Sequence, residues 1–393
     1  MTINLLKFNS TSLKLLIFVS LALPQLIPKI SFFLTLLIVF VNLAHSKLFL
    51  ERSMLATVIL GGFAVFGLYG SLLGVFFSND IGGIYANLKV NLFYSMLGLV
   101  LIPLMKRSVS IDDVFQVVLI SCIFIFLSYM YPFLSLYFGF NLTLIPYAES
   151  IIPTVSLYMD RYVISIPSVA NLIILFPIVL FRYFDKNNFP KHRFIYFLIL
   201  VSLILLILIS GRRMVWILSS SALVGLVYFL SRDTHKKIFF WLFSLSILYS
   251  VSFQVLFDFF MISSEVSTNE SVRLHQLNML LDSFFTHPFG LGFGSLFYDN
   301  RGYETWLFEL VWMKMLADIG IIFCLWIIIF IVMFVYHFHN RMKRFFKLYL
   351  VGFYASLAFW FLIGFSNPPF SNFDGFIILF VLLSVIEPIK RTV

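Results

Sequence analysis

Charge is what this sequence has least of. Only 11% of its 393 residues are Asp, Glu, Lys or Arg, whereas 61% are hydrophobic and the mean hydropathy is +1.01. So little polar material cannot cover the surface of a water-soluble domain, and that class is excluded. Cysteine is almost as scarce. Cys122 and Cys324 both lie inside apolar runs, so neither a disulfide framework nor a metal cluster is supported. No acidic pair has metal-ligand spacing, and neither an internal repeat nor a low-complexity tract is found. A cleavable signal peptide is not expected either: the first apolar run, from Leu13, lacks a small-residue cleavage site and reads as a retained helix.

What the chain has in abundance is apolar runs near the length of about 20 residues that crosses a bilayer. They predict an all-α integral membrane protein of about 12 transmembrane helices in a single polytopic domain over residues 1–393. The expected spans are 12–28, 30–45, 53–77, 84–104, 114–134, 162–184, 194–210, 214–230, 238–258, 315–338, 348–366 and 373–388. Two intervening stretches are longer than turns. One covers 135–161; the other, 259–314, is a large loop between the ninth and tenth spans.

Lysine and arginine orient such a chain, because positively charged loops stay cytoplasmic. With both termini inside, 19 of the 27 basic residues fall on the cytoplasmic side. The formal charge of +9 is therefore explained by topology, and no nucleic-acid partner is expected. Six basic residues fall outside against the bias: Lys29, Arg161, Arg212, Arg213, Arg273 and Arg301. Five of these are arginine, whose rigid fork suits bidentate binding of phosphate or carboxylate. An anionic ligand at the outer face is implied. Lys89 and Lys314 lie within or beside apolar segments, and Lys89 is a candidate buried charge.

Three segments carry the candidate chemistry. Ser210-Gly211-Arg212-Arg213 is a short outer turn between two apolar runs, placing adjacent arginines at headgroup level. They could clamp a diphosphate, snorkel to lipid phosphates or pair with an outer carboxylate. The long loop has helical character over 271–285, with Arg273 and His275 near its start, then reads His287-Pro288-Phe289-Gly290-Leu291-Gly292-Phe293-Gly294. Its alternating glycines permit unusual backbone angles and the close approach of a ligand. Residues 303–318 read as an amphipathic helix with Glu304 and Glu309 near its outer end, among Trp306, Phe308 and Trp312. A carboxylate in aromatic surroundings suits a general base; an ion pair with an outer arginine is the competing reading for each. Lys314 and Asp318, four apart on one helical face, are expected to neutralise each other. For His287 a structural role is expected.

These segments together resemble the O-antigen polymerase and ligase superfamily, and within it the Wzy-type polymerases. Ser210-Gly211-Arg212-Arg213 is similar to the family's Ser-Gly-Ser-Arg segment. Arg273 followed by the 287–294 stretch resembles the Arg…Pro-x-x-Gly-x-Gly of a large periplasmic loop, and Leu316-Ala317-Asp318-Ile319-Gly320 resembles the Leu-Ala-Glu-x-Gly that follows it. The histidine-asparagine pair that opens this helix in ligases is replaced by Glu309-Leu310, which favours a polymerase. The resemblance implies a glycosyltransferase, free of metal and other cofactors, in the bacterial inner membrane. It would join undecaprenyl-diphosphate-linked oligosaccharides, with such molecules as donor and acceptor. Membrane lipids, a chain-length regulator and a flippase are the further partners implied. On that reading Arg213 and Arg273 would hold the diphosphate with Arg212 and Arg161 in support, while Glu309, Glu304 or His275 would serve as base. A ligase and a 12-span transporter are the alternatives.

Overall fold

The computed structural model describes residues 5–23, 28–45, 54–138, 154–158, 161–165, 169–185, 193–209, 213–230, 268–295, 311–344, 346–363 and 373–386. These form helices α1 (Leu5–Ala22), α2 (Pro28–Ala44), α3 (Met54–Phe76), α4 (Ile81–Leu88), α5 (Ser95–Ser108) and α6 (Ile111–Phe138). There follow α7 (Val169–Tyr183), α8 (Arg193–Ile209), α9 (Arg213–Leu230), α10 (Thr268–Thr286), α11 (Val311–Ile319), α12 (Ile321–Arg344), α13 (Leu348–Ile363) and α14 (Phe373–Ile386). A π-helical segment, Lys89–Tyr94, joins α4 to α5 into one unbroken helix from Ile81 to Ser108. Among the described residues, five helices are long and apolar enough to cross a membrane: α1, α3, Ile81–Ser108, the first part of α6, and α12. The other apolar helices are shorter. This is the pattern of a helical membrane protein.

Local sequence accounts for many helix ends. Pro28 opens α2, where its missing N–H costs nothing. Ser110 and Asp113 cap α6 reciprocally: Asp113 N donates to Ser110 Oγ and Ser110 N to Asp113 Oδ2, both at 3.1 Å. α3 closes with Asn79 N donating to Gly74 O and Ser78 N to Val75 O, a Schellman pattern whose left-handed residue is Ser78 (φ 56°). Asp80 then caps α4 by accepting from Gly83 N at 2.6 Å.

The apolar surface is distributed as lipid-facing helices require. α7 from Leu172 to Phe181 and nearly all of α14 are buried, so these two mostly apolar helices form the centre. By contrast α12 turns Ile328, Ile329, Val332, Val335 and Tyr336 outward. Small residues let the central helices meet: Gly352 of α13 lies against the backbone of Pro177 and Ile178, and Ser356 Oγ donates to Ile174 O at 2.6 Å. An aromatic cluster joins α3, α11, α12 and α13 through Phe63, Trp312, Phe323, Trp326 and Phe361. Its indoles also find acceptors. Trp312 donates to Phe361 O (2.5 Å) and Trp326 to Val58 O (3.1 Å), as buried Trp requires.

The structure departs from expectation in three places. The helix expected over 162–184 is present as α7 but begins later, at Val169; before it Thr154–Tyr158 and Arg161–Ser165 make an antiparallel hairpin, β1 and β2. The β-favouring Tyr162-Val163-Ile164 run and Pro167, which disfavours helix at the residue before it, explain the shift. This hairpin holds the only strands among the described residues. The helix expected to run on through 315–338 breaks at Gly320 (φ 67°), separating α11 from α12. Lys89 is exposed on the outside of its helix rather than buried. The expected span 238–258 lies outside the described residues.

Candidate functional site

The glycine-rich segment after α10 folds into a clamp. Gly290 N closes a turn onto His287 O at 2.8 Å, with Pro288 at the position where its fixed φ suits the turn. Beyond it the chain runs between two walls. On one side Leu291 N donates to Ala317 O (3.1 Å), Gly292 N to Asp318 O (2.8 Å), and Ile321 N to Pro288 O (2.8 Å). On the other, Phe293 N donates to Gly70 O (2.8 Å) and Asp80 N to Gly294 O (3.2 Å). Asn79 Nδ2 donates to the carbonyls of Leu291 (2.8 Å) and Phe293 (3.1 Å), and Tyr69 OH to that of Phe289 (2.9 Å).

Glycine is required here for two physical reasons. Gly290, Gly292, Gly294 and Gly320 all have positive φ, between 67° and 93°. A Cβ at Gly290 would strike the Asp318 carbonyl, one at Gly292 the backbone of Leu73 and Gly74, and one at Gly294 the Asp80 carbonyl. The close approach that the alternating glycines permit is therefore of chain to chain. Space for a ligand between them, the reading suggested by sequence, is filled by α3, α4 and α11. The Phe293 ring, fully buried, fills the notch left by Gly70.

Beneath the clamp lies a buried ionic group. Lys314 Nζ pairs with Asp318 Oδ1 one helical turn away, as the spacing predicted, and both bond to Ser295: Lys314 donates to its Oγ at 2.6 Å, and that hydroxyl donates to Asp318 at 2.7 Å. Burial pushes the Lys314 ammonium below the ordinary lysine range, while the Asp318 carboxylate beside it pulls the other way. The charges are matched internally and tie the end of the clamp to α11.

The clamp also sets the course of two helices. Pro288 is bonded to Ile321, and further up Leu280 packs on Ala317, flanked by Met279 and Met313. α10 and α11 thus leave the clamp side by side, both running back toward their N-termini. Arg273 and His275 ride on α10 up to two turns beyond Leu280, and α11 begins at Val311, about two turns beyond Ala317. His275 is exposed. Glu304 and Glu309 precede α11 in the chain and lie outside the described residues, as does Arg212. Arg213 is the first residue of α9. The other end of that helix packs through Phe229 on Phe338 of α12 and Phe346 just beyond it, far from the clamp, so α9 starts on the clamp side. Arg161 opens β2 of the hairpin.

Other residues answer specific expectations. Trp312 is committed to the bundle interior, stacked between Phe63 and Phe361. His287 is exposed, bonded to Thr286 Oγ1 at 3.1 Å and edge-on to the Phe77 ring, in line with its structural reading. Sequence reasoning passed over Tyr69, Gly70, Gly74, Asn79 and Asp80, the far wall of the clamp. Gly70 and Gly74 at small-xxx-small spacing, followed by Asn79-Asp80, would have marked a close backbone contact and a cap. Among the described residues no group of three or more His, Cys, Asp or Glu could hold a metal ion.

Compared with models of known protein families and with curated proteins, the chain matches none.

Proposed function

We propose that this chain is a glycosyltransferase of the O-antigen polymerase type, embedded in the bacterial inner membrane with about 12 spans and both termini cytoplasmic. Its clamp end would face the periplasm. The observation that carries the reading is the joint course of α10 and α11: Arg273 rides on one helix, and Glu309 enters the chain just before the other. An arginine on one helix, and a carboxylate two residues before the other in sequence, suit a reaction that needs an anion held and a proton removed. Arg213, at the start of α9 on the same side, fits the same purpose.

The reaction follows from these groups. The hydroxyl oxygen of one undecaprenyl-diphosphate-linked repeat unit attacks the anomeric carbon of the growing chain. The bond from that carbon to the diphosphate oxygen breaks, and the electron pair leaves with undecaprenyl diphosphate. Arg213 and Arg273 stabilise the departing charge, with Arg212 and Arg161 in support. The hydroxyl proton passes to Glu309, with Glu304 and His275 as the other candidate acceptors. The clamp's role is to hold α10 and α11 in fixed relation, which such positioning requires.

The test is the lipopolysaccharide banding pattern of the source strain with the gene deleted, then restored with wild type, R213A or R273A. Deletion should leave core bearing one repeat unit, and only wild type should restore the ladder. Bare core with accumulating lipid-linked polymer would instead identify a ligase; an unchanged ladder would reject glycan polymerisation. Full activity of both arginine variants would remove the account of diphosphate binding.

A further inference from the structure

The height of the clamp turn is set by α12. Ile321 N, which opens that helix, donates to Pro288 O, and Arg341 in its basic last turn lies 20 residues further on (341 − 321). Twenty residues of α-helix rise about 30 Å, which is the thickness of a bilayer's hydrocarbon core. Between those two points α12 turns Leu325, Ile328, Ile329 and Val332 outward, as a lipid-facing helix does. With the cations of the last turn at one boundary of the core, the turn at Pro288 falls at the other.

At that height the surface is aromatic. Phe285, at the end of α10, is 75% exposed, and Phe289, just past the turn, 67%. The end of α3 and the start of α4 add Phe76, Phe77 and Ile81, all exposed. Phe76 and Phe77 meet edge to face at 5.2 Å, and the Phe77 ring meets that of His287 at 6.4 Å. This ridge continues the outward side of α3, where Leu68, Leu72 and Val75 are exposed. Large bare apolar surfaces of this kind mark contact with a membrane or with protein. Polarity along α10 decides between the two. Its exposed face passes through Phe285, Asp282, Asn278 and His275 at helical spacing, aromatic at the clamp and polar from one turn onward. A protein partner requires no such change at the height fixed by α12. A bilayer surface does, because aromatic rings lie at the headgroup level and Asp and Asn beyond it.

We propose that the clamp end is embedded in the bilayer surface, with Phe285, Phe289 and the Phe76-Phe77 pair inserted where headgroups meet acyl chains. Lipid therefore covers the ridge, and α10 has its foot in the membrane rather than above it. The clamp backbone tolerates that depth because its N–H groups are already paired: those of Leu291, Gly292 and Phe293 donate to Ala317, Asp318 and Gly70. The inference does not depend on the reaction assigned to the clamp end.

The experiment is spin labelling of the full-length protein in phosphatidylcholine nanodiscs, on a C122A/C324A background. It reads collisions of the nitroxide with oxygen, which concentrates in lipid, and with a water-soluble nickel chelate. Labels at F285C and F289C should collide chiefly with oxygen, as should one at I329C on the outward side of α12. A label at N278C, two turns from Phe285 on the same face of α10, should collide chiefly with nickel. All four positions are exposed, so the labelled variants should fold. Nickel prevailing at 285 and 289 would put the ridge in water and overturn the proposal. Protection from both reagents there would mean that a partner protein or a second copy covers the ridge, which also overturns it. Oxygen prevailing at 278 as well would refute the boundary drawn along α10.

Discussion

Replacing Gly292 by alanine tests the clamp most directly. The residue has φ of 80°, where an L side chain costs about 1–2 kcal/mol. Its Cβ would meet the backbone of Leu73 and Gly74, which cannot rotate away as a side chain could. Overpacking of that kind adds about 1–3 kcal/mol. The two costs sum to about 2–5 kcal/mol, enough to part the loop from α3 and free the Gly292 and Phe293 amides from Asp318 and Gly70. A middle value of about 3 kcal/mol makes local opening roughly a hundredfold more frequent. Amide hydrogen exchange in detergent, read on peptides covering 288–295, should accelerate by that factor, with a smaller rise along α10. Gly61→Ala is the control, because nothing lies within 4 Å of the Cβ it would add. Unchanged exchange in G292A, or equal acceleration in G61A, would refute the claim that backbone contact is what the glycine protects.

Three further outcomes are expected. Lys314→Met should destabilise by about 3–5 kcal/mol, because it strands the buried Asp318 carboxylate, whereas Lys314→Met with Asp318→Leu should recover most of that; thermal unfolding in detergent across the mutant cycle checks this. Asp374→Ala should lower thermal stability by about 1–3 kcal/mol for each hydroxyl it orphans, since its carboxylate accepts from the fully buried Ser20 and Ser31. Glu309→Gln should abolish ladder formation while the protein still inserts; if it remains active and Glu304→Gln is dead, the proton acceptor is Glu304.

The helices were legible because lipid-length apolar runs have few other outcomes. α3, α8, α9 and α13 begin within one residue of their expected starts. What periodicity could not register was change inside an apolar run. The π-helical turn at Lys89–Tyr94 alters the backbone bonding without altering hydropathy, and the break at Gly320 is set by Pro288, 32 residues earlier (320 − 288). In the hairpin at Thr154–Ser165, β1 lay in the expected 135–161 loop and most of β2 at the start of the expected span 162–184, where apolar character favoured a span and the β-branched pattern favoured strands. The clamp was half legible: its glycines were recognised as special, but their partners Gly70 and Asn79 are distant in sequence. Long-range backbone pairing leaves no local trace. Arg161, Arg213 and Arg273 were singled out as candidates by charge against the topological bias, a global property that needs no contact map.

The clamp also orders the birth of the protein. Gly70 offers its carbonyl to Phe293, 223 residues later in the chain (293 − 70). At translation rates of about 5–20 residues per second, α3 and α4 wait roughly 10–45 s before their partner is made. During that interval the groove beside Gly70 and Gly74 is an unfilled socket in a nascent bundle. Insertion of the early helices and closure of the finished protein are therefore separate events. A ribosome stalled before Gly292 would leave the first in place without the second.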